Sequence, residues 1–183
     1  MTQPVLRTPR LLLRPFTASD AGDVRRLAGD ARIADTTTDI PHPYPAGVAE
    51  AWIGTHAREY EEGLAAIYAI TLPDSGFVIG AIGLMDIALL DARAELGYWI
   101  GADYWSRGYC TEAARRLIRF AYEELGITRI VARCLTRNPA SARVMTKLEM
   151  QPEGILPGHV RKHGVFEDVL LYGLNLPERA CRV

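Results

Sequence analysis

The chain has little that would point to a membrane, a metal or a disulfide scaffold. No stretch of about 18 consecutive apolar residues occurs, so no membrane span is expected. The opening MTQPVLRTPR lacks an apolar core and does not read as a signal peptide. Cysteine is scarce: Cys110, Cys134 and Cys181 are an odd number without ligand spacing, which fits a reduced, cytoplasmic protein. Four histidines stand without metal-type spacing, so no metal is expected. A net charge of −1 gives no general attraction to nucleic acid. There is no repeat, linker or low-complexity tract. What remains is 183 residues, 49% hydrophobic with a mean hydropathy of zero, the size of one α/β domain around one core.

Leu11, Leu12 and Leu13 suggest a first strand. Thr17 and Asp20 are spaced as a capping box opening a helix through Leu27. Residues 35–47 contain Pro41, Pro43 and Pro45 and predict a stiff, non-helical loop. A second helix is expected over Val48–Glu62, with Trp52, Ile53, His56 and Tyr60 at helical spacing. Strands at 66–72 and 77–86 flank a Pro73-Asp74-Ser75-Gly76 turn, and another covers 93–101. A helix over 111–125, a strand over 127–135 and a helix over 138–148 follow. The chain closes as a hairpin, 152–162 and 165–175, turning at His163-Gly164. The order predicts a parallel contact between strands at 96–100 and 128–135, with the helix crossing between them.

The most informative segment is Trp105-Ser106-Arg107-Gly108-Tyr109-Cys110-Thr111-Glu112-Ala113. A strand enters it and a helix leaves it, with a glycine at the turn. Free backbone N–H groups and the helix dipole converge there, which suits a phosphate or pyrophosphate. It is neither a Walker loop nor a dinucleotide fingerprint, because the Gly-Lys-Ser/Thr and the further glycines are absent.

This segment resembles the acyl-CoA pyrophosphate loop of the GNAT N-acetyltransferases, Arg/Gln-x-x-Gly-x-Gly/Ala, with Trp105, Gly108 and Cys110 at the first, fourth and sixth positions. TPRLLLRPFTASDA, IGAIGL, AELGYWIGADYWSRGYCTEA, NPASARVMTKLEM and PEG resemble the RimJ/RimL-like branch along almost the whole chain, a branch in which the loop commonly begins with tryptophan. The resemblance implies a single α/β (α+β) domain over residues 1–183, with a mixed central sheet, a splayed parallel strand pair and about four helices. It also implies acetyl-CoA as acyl donor, whose pantetheine arm pairs with the splayed strands. The implied cofactor-binding residues are Tyr98, Trp99, Ile100, Trp105, Ser106, Arg107, Gly108, Tyr109, Cys110, Thr111, Asn138 and Ser141.

Acyl transfer to an amine needs a neutral amine held near the carbonyl, a donor for the oxyanion and a hydrogen bond or proton for the leaving thiolate. Glu95 is the candidate for removing the amine proton, and backbone N–H groups near Trp99 and Ile100 for the oxyanion. Many relatives carry a proton-donating tyrosine where this chain has Met145, which cannot donate. Ser141 is the candidate in its place; ordinary first-turn helix chemistry is its other reading. Asn138 is suited to cap that helix. Glu149 stands where relatives have a glycine, a position of left-handed strain.

For the acceptor, His42, Tyr44 and Trp52 are the candidate substrate-binding residues, in a wall built from the proline loop, the second helix and the hairpin after Gly158. The expectation is an N-acetyltransferase acting by direct transfer on a protein N-terminus or small monoamine, as a monomer or homodimer, with no nucleic-acid or membrane partner. A non-catalytic acyl-CoA-binding regulatory module is the alternative, raised by Met145.

Overall fold

The computed structural model describes residues 2–177; Cys181 lies outside the described residues. Eight strands form one sheet in the order β1-β2-β3-β4-β5-β6-β8-β7. They are β1 (Leu6–Arg7), β2 (Leu12–Arg14), β3 (Ala66–Thr71), β4 (Val78–Ala88), β5 (Arg93–Ile100), β6 (Arg129–Leu135), β7 (Gln151–Lys162) and β8 (Val165–Asn175). Five α-helices accompany them: α1 (Ala21–Ala28), α2 (Ala31–Thr36), α3 (Val48–Glu61), α4 (Tyr109–Glu123) and α5 (Pro139–Lys147).

All pairings are antiparallel except β5–β6, which the α4 crossover makes parallel. That pairing runs only through Arg93–Glu95 against Arg129–Val131. Beyond it β5 keeps its ladder with β4 as far as Ile100, and β6 keeps its ladder with β8 as far as Leu135. The two strands therefore part, forming a fork. The expected parallel contact at 96–100 is corrected by this register: that stretch is the free arm of the fork, and the contact lies just before it.

Strand alternation sorts the two faces. Ala94, Leu96 and Ile100 of β5 join Ala113, Leu117 and Ala121 of α4 and Met145 of α5 in the main core. Trp99 faces the other way, against a smaller cluster of Ala21, Val24, Ala28, Ala49 and Ile53 from α1 and α3. Leu117 is fully buried, and such a side chain contributes about 2 kcal/mol by burial alone.

Local signals explain most element ends. Thr17 and Asp20 make their capping box, with Thr17 N–H donating to Asp20 Oδ2 at 2.7 Å. Arg14 grips the same carboxylate through both terminal nitrogens, at 2.7 and 2.8 Å. The predicted non-helical loop is corrected at its start, because α2 runs to Thr36. Asp30 caps α2 by accepting from Arg32 N–H at 2.8 Å. This fifth helix is six residues long, too short to show a period in the sequence. Glu149 does adopt the left-handed φ of 65° expected at its position.

Candidate active site

The loop between β5 and α4 is braced from three sides. Trp105 Nε1 donates to the carbonyl of Ile100 at 2.6 Å, tying the loop to the end of β5. Arg10 donates to the carbonyl of Arg107 at 3.0 Å and lies over the Tyr109 ring. Glu112, in the first turn of α4, accepts from Arg10 Nε at 2.7 Å and from the Thr8 hydroxyl at 2.6 Å. Arg107 turns outward, donating to the Asp103 carbonyl at 3.0 Å. Ser106 (φ 61°) and Gly108 (φ 79°) both take left-handed backbone, which Gly108 tolerates without a Cβ clash. Gly108 is the N-cap of α4 and supplies no side-chain cap, so the first-turn N–H groups, including those of Cys110 and Thr111, carry the positive end of a 15-residue helix. This cradle fits a pyrophosphate.

Cys110 packs against the main core from its place in the first turn, and burial pushes its thiol pKa up. A raised pKa argues against a nucleophilic thiolate there.

On the α4–α5 face of the fork, Tyr98 and Ser141 meet. The Tyr98 hydroxyl is 2.9 Å from Ser141 Oγ and 3.2 Å from the Ser141 carbonyl. Asn138 Oδ1 accepts from Ser141 N–H at 3.1 Å, capping α5. The same Asn138 donates from Nδ2 to the Thr36 carbonyl at 2.9 Å, linking α5 to the end of α2. Met145 is 1% exposed and belongs to the core.

On the opposite face lies Glu95. Arg133 holds it with a hydrogen bond, Nε to Oε1 at 2.9 Å, and an ion-pair contact, Nη2 to Oε2 at 2.8 Å. Arg133 Nη1 is also 3.1 Å from His159 Nε2, on the hairpin. The chain Glu95–Arg133–His159 thus crosses from β5 through β6 to β7. The sequence singles out Glu95 as a candidate and neither of its partners; alternation places residues on a face without saying which strand lies beside them.

The remaining candidates divide. Trp52 and Tyr44 pack against the same small cluster as Trp99. Trp52 also makes edge contacts with Phe16 and His56, at 5.1 and 4.4 Å between centroids. His42 is exposed, its Nδ1 3.1 Å from the Gly29 carbonyl. With Arg25, Arg26, Asp30 and Tyr44 it lines an open concavity of about 540 Å³ at the end of α1.

The wall segment is fastened to the hairpin. Buried Lys162 donates to the carbonyls of Ala34 and Thr37, and burial lowers its ammonium pKa. Arg137 bridges Asp35, at 2.9 Å, and Glu167.

Comparison with known proteins agrees with this geometry. The acetyltransferase (GNAT) domain model matches residues 10–151. The chain belongs to the GNAT acetyltransferase family. It is similar to the uncharacterized N-acetyltransferase YoaA of Bacillus subtilis, at 29% identity over 95% of this chain and 98% of that protein. It is also similar to the ribosomal protein uS5-alanine N-acetyltransferase of Escherichia coli, at 27% identity over 94% of this chain and 91% of that one. Among solved structures, RimL, a ribosomal L7/L12 alpha-N-protein acetyltransferase in complex with coenzyme A, superposes with a TM-score of 0.86. Its identity is 19%, covering 94% of this chain and 98% of that one, so it bears on the fold alone.

This GNAT chain is therefore an N-acetyltransferase of the RimJ/RimL-like kind with acetyl-CoA as acyl donor, and the non-catalytic binder is not favoured. Among the described residues, no helix is long and apolar enough to cross a membrane.

Proposed function

We propose that this acetyltransferase modifies the primary amine of a peptide N-terminus or of a small monoamine. The observation that carries the reading is the fork between β5 and β6, with Glu95 on one face and Ser141 on the other. Acetyl-CoA supplies a thioester whose acyl carbon a neutral amine attacks. First-turn N–H groups of α4 would hold its pyrophosphate, and the free backbone edge of Leu96–Ile100 its pantetheine amides.

Glu95 takes the proton that the amine sheds, directly or through one water, while Arg133 keeps its carboxylate in one orientation. Ser141 offers its hydroxyl hydrogen to the departing sulfur. Backbone N–H near Trp99 and Ile100 serves the developing oxyanion. The acceptor approaches from the face of α1 and α3, between Trp52, Tyr44 and the hairpin. The relatives that act on ribosomal-protein N-termini support a peptide acceptor.

A panel of free N-terminal peptides, monoamines and spermidine, read by mass spectrometry for a gain of one acetyl group, tests this. Peptides or monoamines should be modified first. Preferential acetylation of spermidine would reverse the acceptor assignment.

A further inference from the structure

We propose that Tyr98 is a positioning residue for acetyl transfer: its hydroxyl donates to Ser141 Oγ and thereby turns the Ser141 hydrogen toward the thioester sulfur. The inference rests on the reading of the β5–β6 fork as the acyl-donor site and adds a residue to it.

Three observations carry the inference. First, Ser141 is fixed in its backbone but not by its own side chain. Asn138 holds its N–H, and α5 begins only two residues earlier. A serine hydroxyl in that setting has three staggered rotamers and one hydrogen to place, so its side-chain partners, Tyr98 and the Cys134 thiol, choose its direction. Second, the group that meets it is a phenol from the β5 arm of the fork, 43 residues away in sequence, at 2.9 Å. Third, Met145 is packed in the core and has no hydroxyl to offer, whereas this β5–α5 contact brings a phenol to the fork.

The direction of donation decides the function. If Tyr98 donates to Ser141 Oγ, the serine hydrogen must point elsewhere. If Ser141 donates to Tyr98, the phenol hydrogen goes to the Ser141 carbonyl at 3.2 Å and nothing is left for sulfur. Burial keeps Tyr98 a neutral donor by raising its pKa. The Ser141 side chain also makes a hydrogen bond with the thiol of Cys134 on β6, so its hydroxyl already faces a sulfur. The charged or titratable groups facing Tyr98 are the thiols of Cys110 on α4 and Cys134 on β6. Neither offers a competing carboxylate. No covalent change is required of Tyr98: the C–S bond breaks, sulfur keeps the electron pair, and the Ser141 O–H bond stabilises it.

The test reads the thiol of bound CoA rather than turnover. Ultraviolet thiolate absorbance of the full chain with CoA is titrated against pH, and the titration of the CoA-free protein is subtracted to remove Cys110, Cys134 and Cys181. The thiol pKa of CoA should be lower when bound to the parent protein than when free. Tyr98→Phe keeps the ring in the core and should raise that pKa by about half to one unit, as far as Ser141→Ala does. The double variant should go no further, because both lesions remove one hydrogen bond. Calorimetric CoA affinity is read beside it, and a loss of affinity without the shift in thiol pKa would also overturn the positioning role. A Tyr98→Phe titration identical to that of the parent, or fully additive shifts in the double variant, would overturn the positioning role. Failure of the parent protein to bind CoA would instead overturn the fork as donor site.

Discussion

The indole N–H of Trp105 donates to the carbonyl oxygen of Ile100 at 2.6 Å, closing the turn between β5 and α4. The tryptophan at the head of the motif thus holds the cradle from behind, where an arginine or glutamine would carry donors toward a phosphate. It is 42% exposed, so its packing adds little beside this bond. Trp105→Phe removes the donor and keeps most of the ring. A lost hydrogen bond of this kind costs about 1 kcal/mol. CoA affinity by calorimetry should fall by up to about fivefold, and the melting temperature of the CoA-free protein should drop by roughly 2–4 °C. An unchanged affinity would make the indole bond incidental.

Glu95 and Arg133 lie on the face of the sheet from which we propose the acceptor approaches, and the catalytic proposal stands on the carboxylate. Glu95→Gln should lower the single-turnover transfer rate about 100-fold, within the usual range for general-base catalysis. The loss should be greatest at low pH, where most of the amine is protonated and must shed a proton. Single-turnover kinetics separate this from product release. Equal rates for parent and variant across the pH range would move the role to another group, such as His159, which meets the same Arg133.

His42 and Tyr44 follow the end of α2, which Lys162 and the Asp35–Arg137–Glu167 bridge tie to the hairpin, and they are the proposed acceptor contacts. Replacing both with alanine should raise KM for the amine and leave KM for acetyl-CoA nearly unchanged. The opposite pattern would put the proline loop over the acyl donor.

His56 gives the fold an acid sensitivity. It is 6% exposed, and neither ring nitrogen has a hydrogen-bond partner among the described residues. Burial lowers its pKa from 6.5 to about 4. The folded chain therefore keeps it neutral while the unfolded chain takes up a proton below pH 6.5. Its contribution to stability is intact above that pH and is lost progressively down to about pH 4. The full swing is on the order of 3 kcal/mol. Urea denaturation at pH 7 and pH 5 should show His56→Leu losing about 2 kcal/mol less between the two pH values than the parent. An identical acid loss in both proteins would acquit His56.

Much of this architecture can be read from residue order. The strand, glycine turn and amphipathic helix around Gly108 are local, and so is the His163-Gly164 turn of the hairpin. What escaped was either short or long-range. β1 has two residues and α2 six, below the length at which a period registers. Asp30 caps α2, and the helix-breaking prolines Pro41, Pro43 and Pro45 come only after that helix has ended. The Glu95–Arg133 and Tyr98–Ser141 contacts span 38 and 43 residues and depend on where β5 and β6 part. Apolar alternation assigns a face and leaves the register open.

Calorimetric titration of CoA into the parent protein and into Gly108→Val tests the central claim most directly. Gly108 has φ of 79° as the N-cap of α4, where a β-branched side chain is strained and stands in the way of a pyrophosphate. The parent should bind CoA and be stabilised by it against heat. Gly108→Val should keep the same secondary structure, lose about 100-fold or more in affinity and show almost no thermal stabilisation by CoA. Equal affinity in the two proteins would contradict the assignment of this loop as the acyl-donor cradle.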